Sequence, residues 1–516
     1  MSRFTIIVAP WGNPFGWRHA TYSLLEKGRR ITVEDKNTSL ACLVEALRPD
    51  RVILIIPETV LCPGDKYIEN FCRRGGQLLS EILEEDKGEL YLKALESLEQ
   101  VIRNLYKEWE IGGPDPYIVV APAIGEYKCK DEIYVWKIGL ERVDPVSAYA
   151  AFTLVSVVAT AIDLKMETPE EVLLVLDTTH GINYMPLAAY RATMVAARIL
   201  STILNTRVEF RQYNSAPYPF GASEPVTLDI FMVRRETITP NKAAQRLVYS
   251  YLVRNAGQAK PFLRARDMGD ILHRRLNKIE KELGWLKDLH REVCALVASI
   301  HFSMPLALLQ LGLEYNLKYG KIVEEGAITK FNNTLRELLG YVQVCRDTRG
   351  RLNIEHQVMP RYDDIKSLLA AISLMRYSNH AVKYVNPVIS QGLVEASLDN
   401  LEKTAENWLR GPLLGVVRHE ISMFKKAYRG EYAMKEVKEL INRAETEKSG
   451  WVSLECGCES STRIYIAHAG LASNSIEVKI DKNNVYIRYC KHCLNTIRNC
   501  LCSALSVVQE LIRGTE

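Results

Sequence analysis

Residues 172–186 read Val172-Leu173-Leu174-Val175-Leu176-Asp177-Thr178-Thr179-His180-Gly181-Ile182-Asn183-Tyr184-Met185-Pro186. Five uncharged apolar residues make a strand buried on both faces, and Asp177 marks its end. The residues that follow are turn formers and small polar groups. Pro186 suits the first turn of a helix running from Leu187 to Leu204. Strand, polar loop and helix in that order are the unit of a parallel sheet covered by helices. The amides at the start of such a helix, with Asn183 as cap, form an anion site that needs no lysine. Thr178, Thr179 and Asn183 add neutral donors, a set suited to the phosphates and riboses of a nucleotide that is held rather than broken. His180 has two readings: it assists slow cleavage of such a ligand, or it is a buried imidazole bonded to Asp177 or to backbone.

The alternation extends over the first 235 residues. Phe4 to Pro10, Arg51 to Pro57, Tyr117 to Ala121, Val172 to Asp177, Val208 to Tyr213 and Leu228 to Val233 read as strands. Leu40 to Leu47, Glu89 to Trp109, Ala148 to Ile162 and Leu187 to Leu204 read as helices. The fold class is therefore α/β, Rossmann-like, with a mostly parallel sheet whose ligand lies beyond the carboxyl ends of the strands. The first strand runs into Trp11-Gly12-Asn13-Pro14-Phe15-Gly16-Trp17. This lacks the G-x-G-x-x-G fingerprint and argues against a nicotinamide or flavin. Its aromatic rings either stack on bases or pack the loop.

Beyond Thr239-Pro240 the strand signal stops for about two hundred residues, and helical periodicity takes over. A hairpin from Ser475 to Tyr489 around Asp481-Lys482-Asn483 and a last helix from Leu494 to Arg513 close the chain. The expected division is an α/β domain over 1–235, a helical linker over 236–290 and an all-α domain with a small hairpin over 291–516.

Composition is that of a globular protein, 47% hydrophobic and 25% charged with a net charge of +4. From Arg234 to Arg291 there are fourteen Lys or Arg against six Asp or Glu, a basic stretch that tracks nucleic acid or is a solvated helical face. No signal pattern and no apolar run of about 18 residues free of charge or breaker is read, so a cytoplasmic protein without a membrane span is expected. Of twelve cysteines, Cys456, Cys458, Cys490, Cys493, Cys500 and Cys502 crowd the end. Zinc, disulfides and free thiols all fit them.

The second chemical signal is Ser461-Thr462-Arg463-Ile464-Tyr465-Ile466-Ala467-His468-Ala469-Gly470. A histidine that moves protons near neutral pH and an arginine that grips phosphate can cut RNA through its own 2'-hydroxyl without a metal. Five residues on an ideal helix turn about 140° net and rise about 7.5 Å, so the two do not share a face. Either the helix is irregular there, or the working site joins two subunits; the second is the preferred reading. A solvated arginine and a hydrogen-bonded histidine are the plain alternative. Arg376 with His380 shares a helix face and reads as structural, and Arg418-His419 as a solvated pair.

Taken in order, Trp11-Gly12-Asn13-Pro14, the Asp177-x-Thr179-His180-Gly181-x-Asn183-Tyr184-Met185-Pro186 run and Arg463-x-x-x-x-His468-Ala469-Gly470 resemble the CRISPR-associated CARF-HEPN ribonucleases, the Csx-type effectors of type III systems. The resemblance implies a CARF sensor over 1–235 that binds a cyclic oligoadenylate, cyclic tetra-adenylate above all, across a dimer axis. It implies a HEPN ribonuclease that cuts single-stranded RNA without a metal or other catalytic cofactor, with Arg463 and His468 as the catalytic pair given by two subunits. The sensor contacts become Trp11, Gly12, Asn13, Pro14, Thr178, Thr179, His180, Gly181 and Asn183. The family often has a polar residue directly after the arginine, where this chain has Ile464; Tyr465 is the candidate replacement. Two rival functions remain beside it: a ligand-responsive regulator that grips nucleic acid, and a ring nuclease that degrades its own cyclic ligand through Thr179 or His180.

Overall fold

Phe4-Thr5-Ile6-Ile7-Val8-Ala9 has almost no polar face to offer water, and strand β1 (Arg3–Pro10) lies buried along nearly its whole length. It pairs in parallel with both β8 (Glu171–Asp177) and β4 (Arg51–Pro57), which are equally apolar and buried. A strand covered on two faces needs this composition, and only crossover connections join strands this way. The structure is a computed structural model that describes residues 3–77, 79, 89–162, 169–219, 226–266, 270–447, 450–458 and 461–513. It divides into two compact units: Met1–Ile238 with Lys260–Gly284 and Gly326–Lys366, and Thr239–Ala259 with Trp285–Glu325 and Ser367–Glu516.

In the first unit an eight-stranded sheet has the order β3-β2-β10-β9-β8-β1-β4-β5. Its parallel half is β9 (Arg207–Ser215), β8, β1, β4 and β5 (Tyr117–Ala121). These strands follow the sequence reading closely. Helices α1 (Ser39–Leu47), α2 (Glu89–Glu108), α3 (Pro145–Ile162) and α4 (Met185–Ile203) lie between the strands. Helix α3 is long and apolar enough to cross a bilayer, yet it is buried here, and Ser156 donates to Asn332 at 2.8 Å from within it. In the sheet's other half the hairpin of β2 (Ala20–Glu26) and β3 (Arg29–Lys36) was not legible. Its two-residue turn holds Lys27 and Gly28 at φ 50° and 78°. Lysine is an uncommon residue in that left-handed position, so the turn carried little signal. Strand β10 (Thr227–Ile238) runs antiparallel to β9 and parallel to β2.

A second sheet corrects the expectation that strands end at Pro240. Strands β6 (Gly125–Cys129) and β7 (Glu132–Ile138) form a hairpin, and two-residue strands β11 (Leu263–Arg264) and β14 (Val358–Met359) pair separately. Strands β12 (Val342–Arg346) and β13 (Leu352–His356) make another hairpin, with β13 lying parallel to β7. The alternation Val342, Val344 and Leu352, Ile354 gives only two inward apolar residues per strand, too few to register against the helical pattern around it.

A buried polar cluster secures this second sheet. Glu58, which follows β4, accepts hydrogen bonds from the Ala123 amide at 3.0 Å and the Tyr91 hydroxyl, and pairs with His356 Nε2 at 2.7 Å. Trp136 donates its indole N–H to the Tyr91 hydroxyl at 3.0 Å. Both Glu58 and His356 are wholly shielded from water. Charged groups so buried are tolerable only when paired and hydrogen-bonded.

The second unit is mainly helical. Its C-terminal part includes α5 (Leu414–Tyr428), α6 (Thr462–Ala467) and α7 (Leu494–Arg513). The expected hairpin is present as β17 (Ile476–Asp481) and β18 (Asn484–Tyr489). Strands β15 (Val388–Ser390) and β16 (Leu393–Ser397) extend it to a four-stranded sheet of order β15-β16-β18-β17.

Replacing His356 with alanine removes one of the hydrogen-bond partners of the buried Glu58 carboxyl group. Chemical denaturation is expected to show a loss of about 1–3 kcal/mol.

Candidate functional site

Because β1 and β8 are parallel neighbours, the loops leaving their carboxyl ends lie side by side. The Gly12 amide donates to the His180 carbonyl at 3.0 Å and joins the two. A Cβ on Gly12 would fall 2.2 Å from the Ile182 side chain, so this approach requires glycine. Asn183 sits at φ 53°, a left-handed position asparagine tolerates.

The candidate sensor residues divide into those that shape the loops and those that line a cavity of about 520 Å³. Trp11 is wholly buried, packed on Trp17 and Trp109 at 5.1 and 5.7 Å, and offers no face for a base. Asn13 is occupied in holding the loop: its amide donates to the Pro63 carbonyl at 2.9 Å and its oxygen accepts from the Phe15 amide at 3.2 Å. Pro14 is buried in the same turn, and Gly181 packs against Pro186. Gly12 and Asn183 also stand outside the cavity wall. Thr178, Thr179 and His180 line it.

His180 takes the second of its two readings. Its Nε2 accepts from the Ser39 amide at 3.2 Å, and its ring stacks on Trp17 at 4.0 Å. Removal from water pushes its pKa down to about 3, so the ring is neutral, with Nε2 the acceptor. Asp177 binds the Ser39 hydroxyl at 2.7 Å and the Thr179 amide at 3.0 Å rather than the imidazole. Burial raises the Asp177 pKa, and these hydrogen bonds oppose that shift. The Thr179 hydroxyl accepts from the Ser215 amide at 3.1 Å, and the Thr178 hydroxyl donates to the Tyr213 carbonyl at 2.9 Å.

Wall residues that escaped the sequence reading include Arg18, Asn214 and Tyr218. The Arg18 guanidinium lies 5.6 Å above the Tyr218 ring. Among the described residues the buried Tyr218 hydroxyl has no hydrogen-bond partner. Asn214 and Tyr218 lie at and beyond the carboxyl end of β9. The rule that pointed to the loops after β1 and β8 applies equally there.

In the second unit, α6 begins at Ser461, whose hydroxyl caps the Ile464 amide, and stops at His468. Ala469 and Gly470 follow at φ 50° and 79°. The Gly470 amide returns to the Tyr465 carbonyl at 3.0 Å. A Cβ on Gly470 would lie 3.1 Å from the hydroxyls of both Tyr465 and Tyr489, which bond each other at 2.7 Å. That packing fixes where the helix ends and therefore where His468 sits. Arg463 is exposed at the second position of the helix and His468, half-buried, lies just beyond its last residue. The two stand at opposite ends of a six-residue helix.

Tyr465 is wholly buried against Tyr489, so it cannot replace the polar residue missing at the exposed Ile464. Glu420 of α5, which the sequence reading passed over, places Oε1 3.4 Å from His468 Nδ1. Arg376 pairs with Glu324 at 2.7 Å, as its structural reading expects, and Arg418 and His419 are exposed. Five of the six late cysteines join disulfides: Cys456 to Cys490, Cys458 to Cys493, and Cys502 to Cys294. Cys458 and Cys493 also lie with His492 in a group close enough for a metal, but their sulfurs are spent in the disulfide.

Comparison with known proteins covers both regions of the chain. The family model for "CRISPR system endoribonuclease Csx1, CARF domain" matches residues 6–217, and that for its HEPN domain matches residues 413–492. CRISPR system endoribonuclease Csx1 of Methanocaldococcus jannaschii is 24% identical over 486 residues, covering 93% of this chain and 87% of the relative. With a CARF domain matched over 6–217, a HEPN domain matched over 413–492 and a relative aligned over most of its length, the chain belongs to the CRISPR-associated CARF-HEPN endoribonucleases.

Proposed function

We propose that this endoribonuclease is switched on by a cyclic oligoadenylate, cyclic tetra-adenylate above all, and cuts single-stranded RNA in the cytoplasm without a metal. The ligand binds at the cavity lined by Trp17, Arg18, Thr178, Thr179, His180 and Tyr218, with a second subunit completing the site. Arg18 supplies the cation for a phosphate and the Trp17 and Tyr218 rings supply faces for a base. The observation that carries the catalytic reading is α6, which presents Arg463 to solvent and ends on His468. In the reaction His468 takes the proton from a ribose 2'-hydroxyl, which attacks the adjacent phosphorus. Arg463 offsets the charge that builds on the phosphoryl oxygens, and the P–O5' bond breaks as the 5'-oxygen takes the proton back from the His468 imidazolium. The products are a cyclic phosphate and a 5'-hydroxyl. Because Arg463 and His468 stand at opposite ends of α6, the working pair is read as the arginine of one subunit with the histidine of the other.

Ligand breakdown in the sensor has little support. The His180 ring is neutral with its acceptor nitrogen engaged, and the Thr179 hydroxyl accepts from Ser215.

His468→Ala is expected to lower RNA cleavage by on the order of 10²–10⁴-fold, with ligand affinity unchanged and wild-type activity retained in EDTA. Arg18→Ala is expected to weaken cyclic tetra-adenylate binding by about 10- to 100-fold in calorimetry at fixed salt. Protonation would turn His180 Nε2 from acceptor to donor, but only as pH falls toward about 3. Ligand affinity should therefore show no step between pH 5 and 8 that His180→Gln removes. The His180 contribution to folding is full above its unfolded value near 6.5 and declines as pH falls toward 3.

A further inference from the structure

We propose that Glu420 is the positioning residue of His468, an inference that rests on the catalytic reading of His468 above. Three observations meet here. Glu420 projects from α5, a different element from the one that carries the histidine, and its carboxylate is nearly buried, with 6% of the side chain exposed. Its side-chain partner among the described residues is His468, at 3.4 Å from Oε1 to Nδ1. A carboxylate withdrawn from water without an arginine or lysine against it is costly to keep. Structural economy would favour an apolar side chain at this position, whereas a histidine that gains and loses a proton each turnover gives the carboxylate a use.

The geometry assigns that use. Holding a proton on Nδ1 toward Glu420 leaves Nε2, on the other side of the ring, as the lone-pair nitrogen that accepts the 2'-hydroxyl proton. Once the proton is taken, the imidazolium lies beside a fixed negative charge. A contact of 3.4 Å is long for a hydrogen bond, as such contacts often are before substrate binds. The carboxylate gains and loses no proton itself; it orients the ring and favours its charged form.

Among the described residues, the other ionisable groups named on the surrounding elements are placed differently. Arg463 of α6 is exposed and cationic. Arg418 and His419 flank Glu420 on α5 but point to solvent. On α7, Arg498 is engaged with Glu314, and Cys500 lies near the buried Tyr465. The Tyr465 and Tyr489 hydroxyls bond each other.

The test compares wild type, Glu420→Gln, Glu420→Ala and His468→Ala in the full chain, with cyclic tetra-adenylate as activator and a labelled single-stranded RNA as substrate. Glu420→Gln keeps the size of the side chain and is expected to unfold at the temperature of wild type. It should lose on the order of 10- to 100-fold in kcat/KM. The ascending limb of its pH profile should move to lower pH, because the histidine no longer has the carboxylate favouring its proton. Nitrogen-15 spectra of labelled histidine should show the Nδ1–H form of His468 in wild type and a tautomer mixture in Glu420→Gln, a readout independent of activator and RNA. Wild-type rates and an unmoved limb in Glu420→Gln would overturn the proposal. So would a loss that is uniform across pH with the Nδ1–H form intact, which is the mark of a merely structural residue. Full activity in His468→Ala would instead overturn the underlying catalytic reading.

Discussion

The parallel pairing of β1 with β8 is the constraint on which the sensor depends. It brings together two loops far apart in sequence, and the Gly12 amide closes them through the His180 carbonyl. With the loops joined, Ser39 can bond both Asp177 and His180, and Trp17 can lie flat on the imidazole. Much of the distinctive sequence in these loops is thus spent on holding them in place. The cavity walls, proposed to meet the ligand, include Thr178, Thr179, His180 and residues whose sequence context is less conspicuous, Arg18 and Tyr218.

A comparable economy governs α6, the helix proposed to carry the catalytic pair. Tyr465, Tyr489 and Gly470 form a buried stop that ends α6 at His468, and Glu420 faces the histidine from α5. Helices this short have little stability of their own, so their ends are set by packing rather than by propensity. The disulfides Cys456–Cys490 and Cys458–Cys493 tie the segment just before α6 to the turn after β18.

How much of this was legible follows from the range of each interaction. The parallel strands were readable because burial on two faces demands unbroken Val, Ile and Leu. The β2–β3 hairpin was not, since its Lys27-Gly28 turn is atypical, and β12 and β13 were too short to stand out from their helical surroundings. Local spacing exposed Arg463 and His468 and placed them on different faces. It could not expose Glu420, which lies more than forty residues upstream and meets the histidine only through tertiary packing. Tyr465 illustrates the converse: adjacency suggested a surface role, and packing sent the side chain inward. The cysteines admitted three states on spacing alone, and only their approach in space selected pairs.

The central claim is that the working nuclease site takes its arginine and its histidine from two subunits. Co-assembly of Arg463→Ala chains with His468→Ala chains tests it most directly, because each homodimer is expected to be inactive. If the site is shared, the mixed dimer keeps one intact site and should recover about half of the wild-type rate per dimer. If each subunit's own pair did the work, the mixture would stay inactive at every ratio.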